Sequence, residues 1–524
     1  MNRRSWTSWD GPLAPAVLAA VVAALYLGTV PSGFLSDDWY FFHRLETEGL
    51  FTSWRGSAGF PAFRPATVLS LRMDTMLPGS TPEAGHLVSL ALHWLCAWGV
   101  MHLTRLLLDR PGNGFHRGLP FATGLFFAVM ASHSEPVVWI SARSDLLATL
   151  FSLAAAVSFI RYGNGPSTRR AVLTPLFLVL ALLSKESAAA LPGMLAVIWL
   201  TRRTLPGLRL LAVCVLVPVA AAGAAVLLNP DFLLKYCLSR PETPFWENIL
   251  RIPPRVFTGP LPPGPARWIA ENPWIAGPAA LLAACAAAAG LRRESRIPTL
   301  AGAGSFLMAS IPAAWFPVGI LDTQGERFLY LPGAFACVAL AGVFRGLFGP
   351  GSKASWAMVA AASLQVPALC ASLDNWRAAG RITEAVLSGL SASPPDDALV
   401  LNLPDNLRGA YIFRSGFDQA AEMTAGSPPG AYRVLMRYSL PSEDSLAMDS
   451  AGVTLRFTGE PVSFDCRGLQ AELSPGELKL GGYLGTVLFY SDGGLRELPP
   501  PAGIMPRPVS PPPGWRTPRT APSP

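Results

Sequence analysis

Two adjacent carboxylates, Asp37 and Asp38, stand in the run Phe34-Leu35-Ser36-Asp37-Asp38-Trp39-Tyr40, just beyond an apolar stretch at 12–30. At the lip of a dry region such acids suit a general base with a raised pKa, or a pair of metal ligands. They equally suit the first turn of a short interfacial helix running through Phe41, Phe42 and Leu45, where the helix dipole favours negative charge. Ionisable groups recur at three later points. His133-Ser134-Glu135-Pro136 is followed by Arg143-Ser144-Asp145, Ser184-Lys185-Glu186-Ser187 lies between apolar runs, and Asp322 precedes Gly325-Glu326-Arg327-Phe328-Leu329-Tyr330. Each sets carboxylates beside a cation, and the first adds an imidazole. One use of such groups is internal pairing, Glu135 or Asp145 with Arg143; another is to hold and neutralise a charged ligand. Arg64, in Phe63-Arg64-Pro65, precedes an amphipathic stretch at 68–77 with Arg72 and Asp74 on its polar side. It suits a headgroup anchor or a phosphate contact. His86 and His93, at the start and middle of an apolar run, read as hydrogen-bonded packing residues.

The elements that must position these groups are membrane helices. Of 524 residues 51% are hydrophobic and only 14% charged, with a mean hydropathy of +0.36; a water-facing surface needs roughly a quarter of its residues charged. A soluble enzyme, a collagen-like rod and a disulfide scaffold are thereby excluded. A window of about 20 residues finds about eleven candidate spans, near 12–30, 86–108, 118–133, 144–160, 171–184, 186–201, 207–229, 273–291, 297–318, 328–348 and 354–372. Trp6, Trp9 and Asp10 interrupt the basic start and no small-residue cleavage motif precedes Pro31, so the first run reads as a retained span.

With the amino terminus cytoplasmic, the inner segments carry Arg3 and Arg4, then Arg105, Arg110 and Arg117, then Arg161, Arg169 and Arg170, then Arg202, Arg203 and Arg209, then Arg292, Arg293 and Arg296, then Arg345 and Lys353, against Asp10, Asp109 and Glu294 as their acids. The positive-inside rule then sets the orientation and accounts for most of the net charge of +7. No nucleic-acid partner is needed. The acid and cation pairs fall on the outer side, at successive turns, where short spans leave them in a hydrated cavity. Five of the seven cysteines lie inside apolar runs with no Cys-x-x-Cys pair, and Cys237 and Cys466 would pair only in an oxidising compartment.

The expected architecture is an α-helical polytopic membrane protein. Residues 1–372 form the transmembrane domain, with a long first outer loop at 31–85. A small mixed α/β or β-rich extracytoplasmic domain follows at 373–498, with strand-like runs at 398–403, 432–440, 453–457 and 486–490 and a helix near 417–423. The proline-rich stretch 499–524 reads as a disordered tail. An α-helical protein with charges at one surface and no repeated halves argues against a secondary transporter, the main rival reading; a catalytically inactive scaffold with an outer domain is the other.

In order, Asp37-Asp38, Phe63-Arg64-Pro65, Gly85-His86-Leu87 with His93, His133-Ser134-Glu135-Pro136-Val137 with Arg143-Ser144-Asp145, Ser184-Lys185-Glu186 and Glu326-Arg327-Phe328-Leu329-Tyr330-Leu331-Pro332 resemble the GT-C class of lipid-linked-sugar transferases. The pattern is most similar to the protein O-mannosyltransferases and the transmembrane-and-tetratricopeptide O-mannosyltransferases, over about 31–332, but without the repeats. The resemblance implies inverting transfer of a sugar from a polyprenyl-phosphate carrier to a protein, glycan or lipid acceptor on the outer face. Asp37 or Asp38 would be the base. Arg64, Arg143, Lys185 and Arg327 would bind the lipid phosphate, supported by His133, Glu135, Asp145, Glu186, Glu326 and Tyr330. Some members of the class use a divalent metal and others do not; Asp37, Asp38 or Glu135 would be its ligands here. The Ala, Arg and Pro-rich composition suits a bacterial inner membrane.

Overall fold

The computed structural model describes residues 13–48, 52, 62–77, 81–108, 118–228, 245–260, 268, 272, 295–349, 351–391, 398–440, 445–449, 452–458, 461–466, 469–481, 486–491 and 493–498. The candidate span at 273–291, the tail at 499–524 and Cys237 lie outside the described residues; Cys466 is exposed and free.

Among the described residues five helical stretches are long and apolar enough to cross a membrane: Leu13–Ser32, Thr81–Leu108, Ile140–Asn164, Glu326–Phe348 and Lys353–Ser388. The protein is an integral membrane protein. Other apolar runs form shorter helices, such as Leu119–Ala128 with 10 residues and Leu191–Arg202 with 12. At about 1.5 Å per residue these reach only about half of a 30 Å hydrocarbon core.

The chain divides into two compact units, Met1–Glu384 with Asp405–Ala420, and Ala385–Pro404 with Ala421–Pro524. In the first, Arg296–Ala313 packs along Tyr330–Phe348, and Arg143–Asn164 packs along both Thr81–Leu108 and Thr168–Ser184. Small residues set the approach. Gly302 meets the backbone of Ala339 and Gly342 meets Thr299, with no room for a Cβ at either, the close contact that membrane helices use in place of a hydrophobic drive.

The helices of this unit break where the charges lie. Leu119–Ala128 gives way to a 3-10 turn at Ala131–His133, the short helix Ser134–Val138 and a second turn at Ile140–Ala142, before Arg143–Asn164 begins. Thr168–Ser184 stops at Lys185, whose backbone is extended, and resumes through the 3-10 turn Glu186–Ala190. A third turn, Glu326–Leu329, follows Gly325 at φ 81°. Pro136 and Gly325 supply the local reasons for two of the breaks. Irregular backbone is tolerated in a membrane protein where it is buried in protein or lines a cavity.

In the second unit, Ala398–Leu401 pairs in parallel with both Val487–Ser491 and Tyr432–Val434, and Gly494–Leu498 closes the edge antiparallel to Val487–Ser491. A separate antiparallel sheet runs Ser445–Asp449, Gly452–Arg456, Glu477–Gly481, Ala471–Ser474. Alternation is plain in Glu477–Gly481, where Leu478 and Leu480 are buried and Lys479 points out. They join Leu399, Leu401, Val453, Leu455 and Val487 in one core.

Candidate active site

Asp37 and Asp38 open the helix Asp37–Thr47, directly after Ser36, whose φ of 50° is rarely adopted by a residue with a side chain. Hydrogen bonds hold that turn. The Ser36 amide donates to the Ile412 carbonyl at 2.9 Å, and the Leu35 amide donates to Asp38 Oδ2 at 3.1 Å. Asp38 is buried, and its Oδ1 accepts from both the amide of Ser141, at 2.7 Å, and the Ser141 hydroxyl. Burial pushes its carboxyl up to about 7; the Ser141 and Leu35 bonds pull the other way, and neighbouring Asp37 adds to the rise.

Asp37 differs. It is half-buried, and one carboxylate oxygen accepts from the hydroxyl of Ser415. Burial raises its carboxyl above the usual range, while Ser415, Arg327, Arg414 and Ser36 pull it back. Of the pair, Asp38 is spent on holding two loops together and Asp37 is the more exposed.

The cations are all held by acids, though not by those nearest in sequence. Arg327 donates to Glu135 through its side chain, and its amide does so at 3.2 Å. Its guanidinium also donates to the Tyr411 hydroxyl at 3.1 Å and lies 4.5 Å from the ring centre of Phe328 and 5.1 Å from that of Trp139. Glu135 is buried while the Arg327 side chain is 25% exposed, so the pair is more open on the arginine's side. Lys185 donates to both oxygens of Asp145, at 2.6 and 2.7 Å, and its ammonium lies 4.9 Å from the same Phe328 ring. Arg64 grips Glu186 in a two-pronged pair at 2.6 and 3.0 Å. Lys185, Arg327, Glu135, Asp145, Arg64 and Glu186 thus gather around Phe328 and the break at Lys185.

Arg143 goes elsewhere. Its guanidinium is fully buried, 2.6 Å from Asp74, and donates to the Gly85 carbonyl at 2.7 Å. Internal pairing with Glu135 or Asp145, one of the sequence-based options, is not what forms. Glu326 also turns inward, accepting from Arg255 at 2.9 Å and from the Ser134 hydroxyl at 2.8 Å. Arg255 further donates to the carbonyls of Gly319, Thr258 and Asp322, fixing the loop ahead of Glu326. His133 and Tyr330 are buried in an aromatic cluster, their rings 4.6 Å apart, with Phe127 4.5 Å from His133. His93 Nε2 donates to the Ala128 carbonyl at 3.1 Å, which leaves Nδ1 to accept from the Tyr330 hydroxyl at 2.8 Å.

A cavity of about 610 Å³ opens beside this cluster. Asp145, Lys185, Glu186 and Ser187 form one polar end, and Phe245, Met308, Ile311, Trp315, Phe316, Phe328 and Leu331 are among its apolar walls. The cavity is thus lined by charged groups at one end and by apolar side chains along its walls. Among the described residues no three His, Cys, Asp or Glu side chains gather as a metal site. Sequence reasoning missed Ser141, Asp74, Arg255, Tyr411, Arg414 and Ser415. Asp74 was visible as the polar side of the 68–77 stretch; the others carry no local signal, because their partners are distant in sequence.

Fold and site thus describe a polytopic membrane protein with an acid and cation cluster whose Asp145, Lys185 and Glu186 line one part of a largely apolar cavity. No protein-family model matches the chain. It is 30% identical to "Protein O-mannosyl-transferase Tmtc1" of Drosophila melanogaster over 184 residues, which cover 32% of this chain and 21% of that protein. It is 32% identical to "Protein O-mannosyl-transferase TMTC1" of Homo sapiens over 195 residues, again 32% of this chain and 21% of the relative. The chain therefore spans about a fifth of the length of these curated relatives. Among solved structures, ArnT from Cupriavidus metallidurans bound to undecaprenyl phosphate aligns with 80% of this chain and 85% of its own, at 14% identity and a TM-score of 0.43. The resemblance read from the motifs is met in sequence: over about a third of its length the chain is homologous to the O-mannosyl-transferases.

Proposed function

We propose that the protein is a membrane glycosyltransferase of the GT-C type, moving a sugar from a polyprenyl-phosphate carrier to an acceptor hydroxyl with inversion at the anomeric carbon. The observation that carries this is the amphipathic cavity with Lys185 at its polar end and Arg327 sharing the Phe328 ring with it. The apolar walls take the prenyl chain and the two cations flank the phosphate. Its O-mannosyl-transferase relatives make mannose the first sugar to test and a protein hydroxyl the first acceptor.

An alcohol is a poor nucleophile, so a base within hydrogen-bond reach must take its proton as the bond to carbon forms. Asp37 is the more exposed of the pair and already accepts from a hydroxyl, and Asp38 sets its position. As the phosphate leaves, its charge grows, and Arg327 and Lys185 are already fixed in a partly dry setting where they stabilise it more than water-exposed cations would. Glu135 and Asp145 orient them, and Glu186 orients Arg64 behind them. Arg143 is a positioning residue that ties 62–77 to Gly85. The site faces the outer side of a cytoplasmic membrane, with the amino terminus inside and residues 373–498 outside. The transporter and scaffold readings explain the ion pairs but not an amphipathic cavity with Lys185 at its polar end.

Purified protein in lipid nanodiscs, given polyprenyl-phosphate sugars and hydroxyl acceptors, tests this reading by release of polyprenyl phosphate; no release from any donor would sink it. Lys185 is tested separately, against an Asp145→Asn parent so that no buried carboxylate is stranded. Adding Lys185→Met to that parent is expected to weaken polyprenyl-phosphate binding roughly 10- to 100-fold, as for a hydrogen bond to a charged group worth about 1.5–3 kcal/mol. Equal affinity in the two proteins would remove Lys185 from the phosphate site.

The acid limb of kcat/KM against pH follows the base. Asp37 must be ionised to act and burial raises its pKa, so the limb should lie above the usual carboxylate range. Arg414 holds that pKa down, so Arg414→Gln is expected to move the limb to higher pH. A limb that stays in place, or moves down, would mean that another group is the base.

A further inference from the structure

The segment Asp405–Ala420 belongs to the same compact unit as Asp37, although Ser415 lies 378 residues further along the chain. It is held there at several points. Ile412 accepts from the Ser36 amide at 2.9 Å, and the Ser415 amide donates to Ser36 Oγ at 3.3 Å. Arg327 donates to Tyr411 at 3.1 Å and Arg414 to Gln324 at 2.8 Å, while Arg414 also braces the segment internally on Asp405 at 2.9 Å. Gly416 has φ 76°, and a Cβ there would lie 2.5 Å from the Ser36 carbonyl oxygen. Only glycine lets the segment close this tightly. The outcome of all these contacts is a serine hydroxyl donating directly to Asp37 Oδ1.

A general base sits within hydrogen-bond reach of the proton it removes, so a hydroxyl bound to Asp37 stands where the acceptor belongs. Tyr411 in the same segment touches Arg327, the cation assigned to the leaving phosphate, which places the segment at the donor end of the site as well. We propose that Ser415 is itself an acceptor: the site transfers one sugar from its polyprenyl-phosphate donor onto Ser415 of the same chain. This rests on the transferase reading above.

In the step, Ser415 Oγ bonds to the anomeric carbon as the bond from that carbon to the phosphate oxygen breaks. The electron pair leaves with the polyprenyl phosphate, the Oγ proton passes to Asp37, and nothing is oxidised or reduced. Because acceptor and base are already joined, the reaction is unimolecular in the donor-bound chain. A sugar on Oγ also removes the hydrogen that ties Ser415 to Asp37, so the first turnover frees the base for an outside hydroxyl.

The test gives full-length protein in nanodiscs polyprenyl-phosphate mannose, and in parallel other polyprenyl-phosphate sugars, with no acceptor added. Peptide mass spectrometry then reads Ser415 while released polyprenyl phosphate is counted. The expected result is one sugar residue on Ser415 and one polyprenyl phosphate released per chain, at a fractional rate independent of protein concentration. Asp37→Asn and Ser415→Ala should each reduce this release to background, whereas Ser415→Thr, which keeps a hydroxyl, should still be modified. Transfer to an added serine peptide while Ser415 stays bare overturns self-transfer and leaves the transferase standing. Failure to consume any donor, with or without peptide, overturns both.

Discussion

Asp37→Asn is expected to lower kcat for sugar transfer by on the order of 10²- to 10⁴-fold, the range for loss of a general base, while melting stays near that of the parent. The side chain of Asp37 meets the Ser415 hydroxyl at a half-buried position, so an amide of the same shape costs little stability. Asp38→Asn should behave in the opposite sense. Its two oxygens accept from the Leu35 amide, the Ser141 amide and the Ser141 hydroxyl, and an amide nitrogen turned toward either backbone donor leaves that donor unsatisfied. About 1–3 kcal/mol of stability should be lost for each stranded group, seen as a lower melting temperature in detergent. Any activity lost with it would come from a displaced helix start. An Asp37→Asn protein that transfers at the parental rate, beside a stably folded but inactive Asp38→Asn, would exchange the two roles.

The second large effect is on stability. Arg143 and Asp74 are buried together at 2.6 Å, with side chains 0% and 1% exposed. Asp74→Ala strands a guanidinium in the interior, and breaking a buried pair in this way typically costs about 3–5 kcal/mol. Asp74→Leu combined with Arg143→Met removes both charges and should recover most of that loss, since well-packed apolar replacements of buried pairs are often neutral. The double variant also separates two roles for Arg143. Retained transfer makes it a tie between 62–77 and Gly85; a folded protein that binds no polyprenyl phosphate restores it to the phosphate site.

The sequence made the positions of the chemistry legible and left the pairings obscure. Charges at 135, 143–145, 185–186 and 326–327 stood out because apolar runs surround them, and the structure sets each group at a break between helices. Their partners were hidden because ion pairs cross the bundle: Glu135 meets Arg327 across 192 residues, and Arg64 meets Glu186 across 122. Arg143 looked like a partner for Glu135 or Asp145 by proximity in the chain. The turn Ile140–Ala142 reorients the backbone before it, and the side chain reaches Asp74 and Gly85 instead. Glu326 was read as a support for nearby cations, yet Arg255 claims it from a helix, Phe245–Phe257, that contains Pro253 and Pro254 and gave no clear signal. The strands of the second unit were readable from alternation, as at Leu478 and Leu480; that the chain returns to the first unit at 405–420 was not, because no periodicity marks a docked loop.

That return has a consequence for how the molecule can be cut or recombined. A chain ended after Glu384 keeps Asp37, Arg327 and Lys185 but loses Tyr411, Arg414 and Ser415, all of which belong to the Asp405–Ala420 segment. The strand-rich unit is thus interrupted by a piece of the first unit, and a single crossover cannot exchange it for another module without also replacing 405–420. Three joints, at 384/385, 404/405 and 420/421, are the minimum for a chimera that keeps that piece. The same threading orders biogenesis: the membrane helices emerge from the ribosome before the segment whose Tyr411 and Ser415 meet Arg327 and Asp37, so these contacts close last.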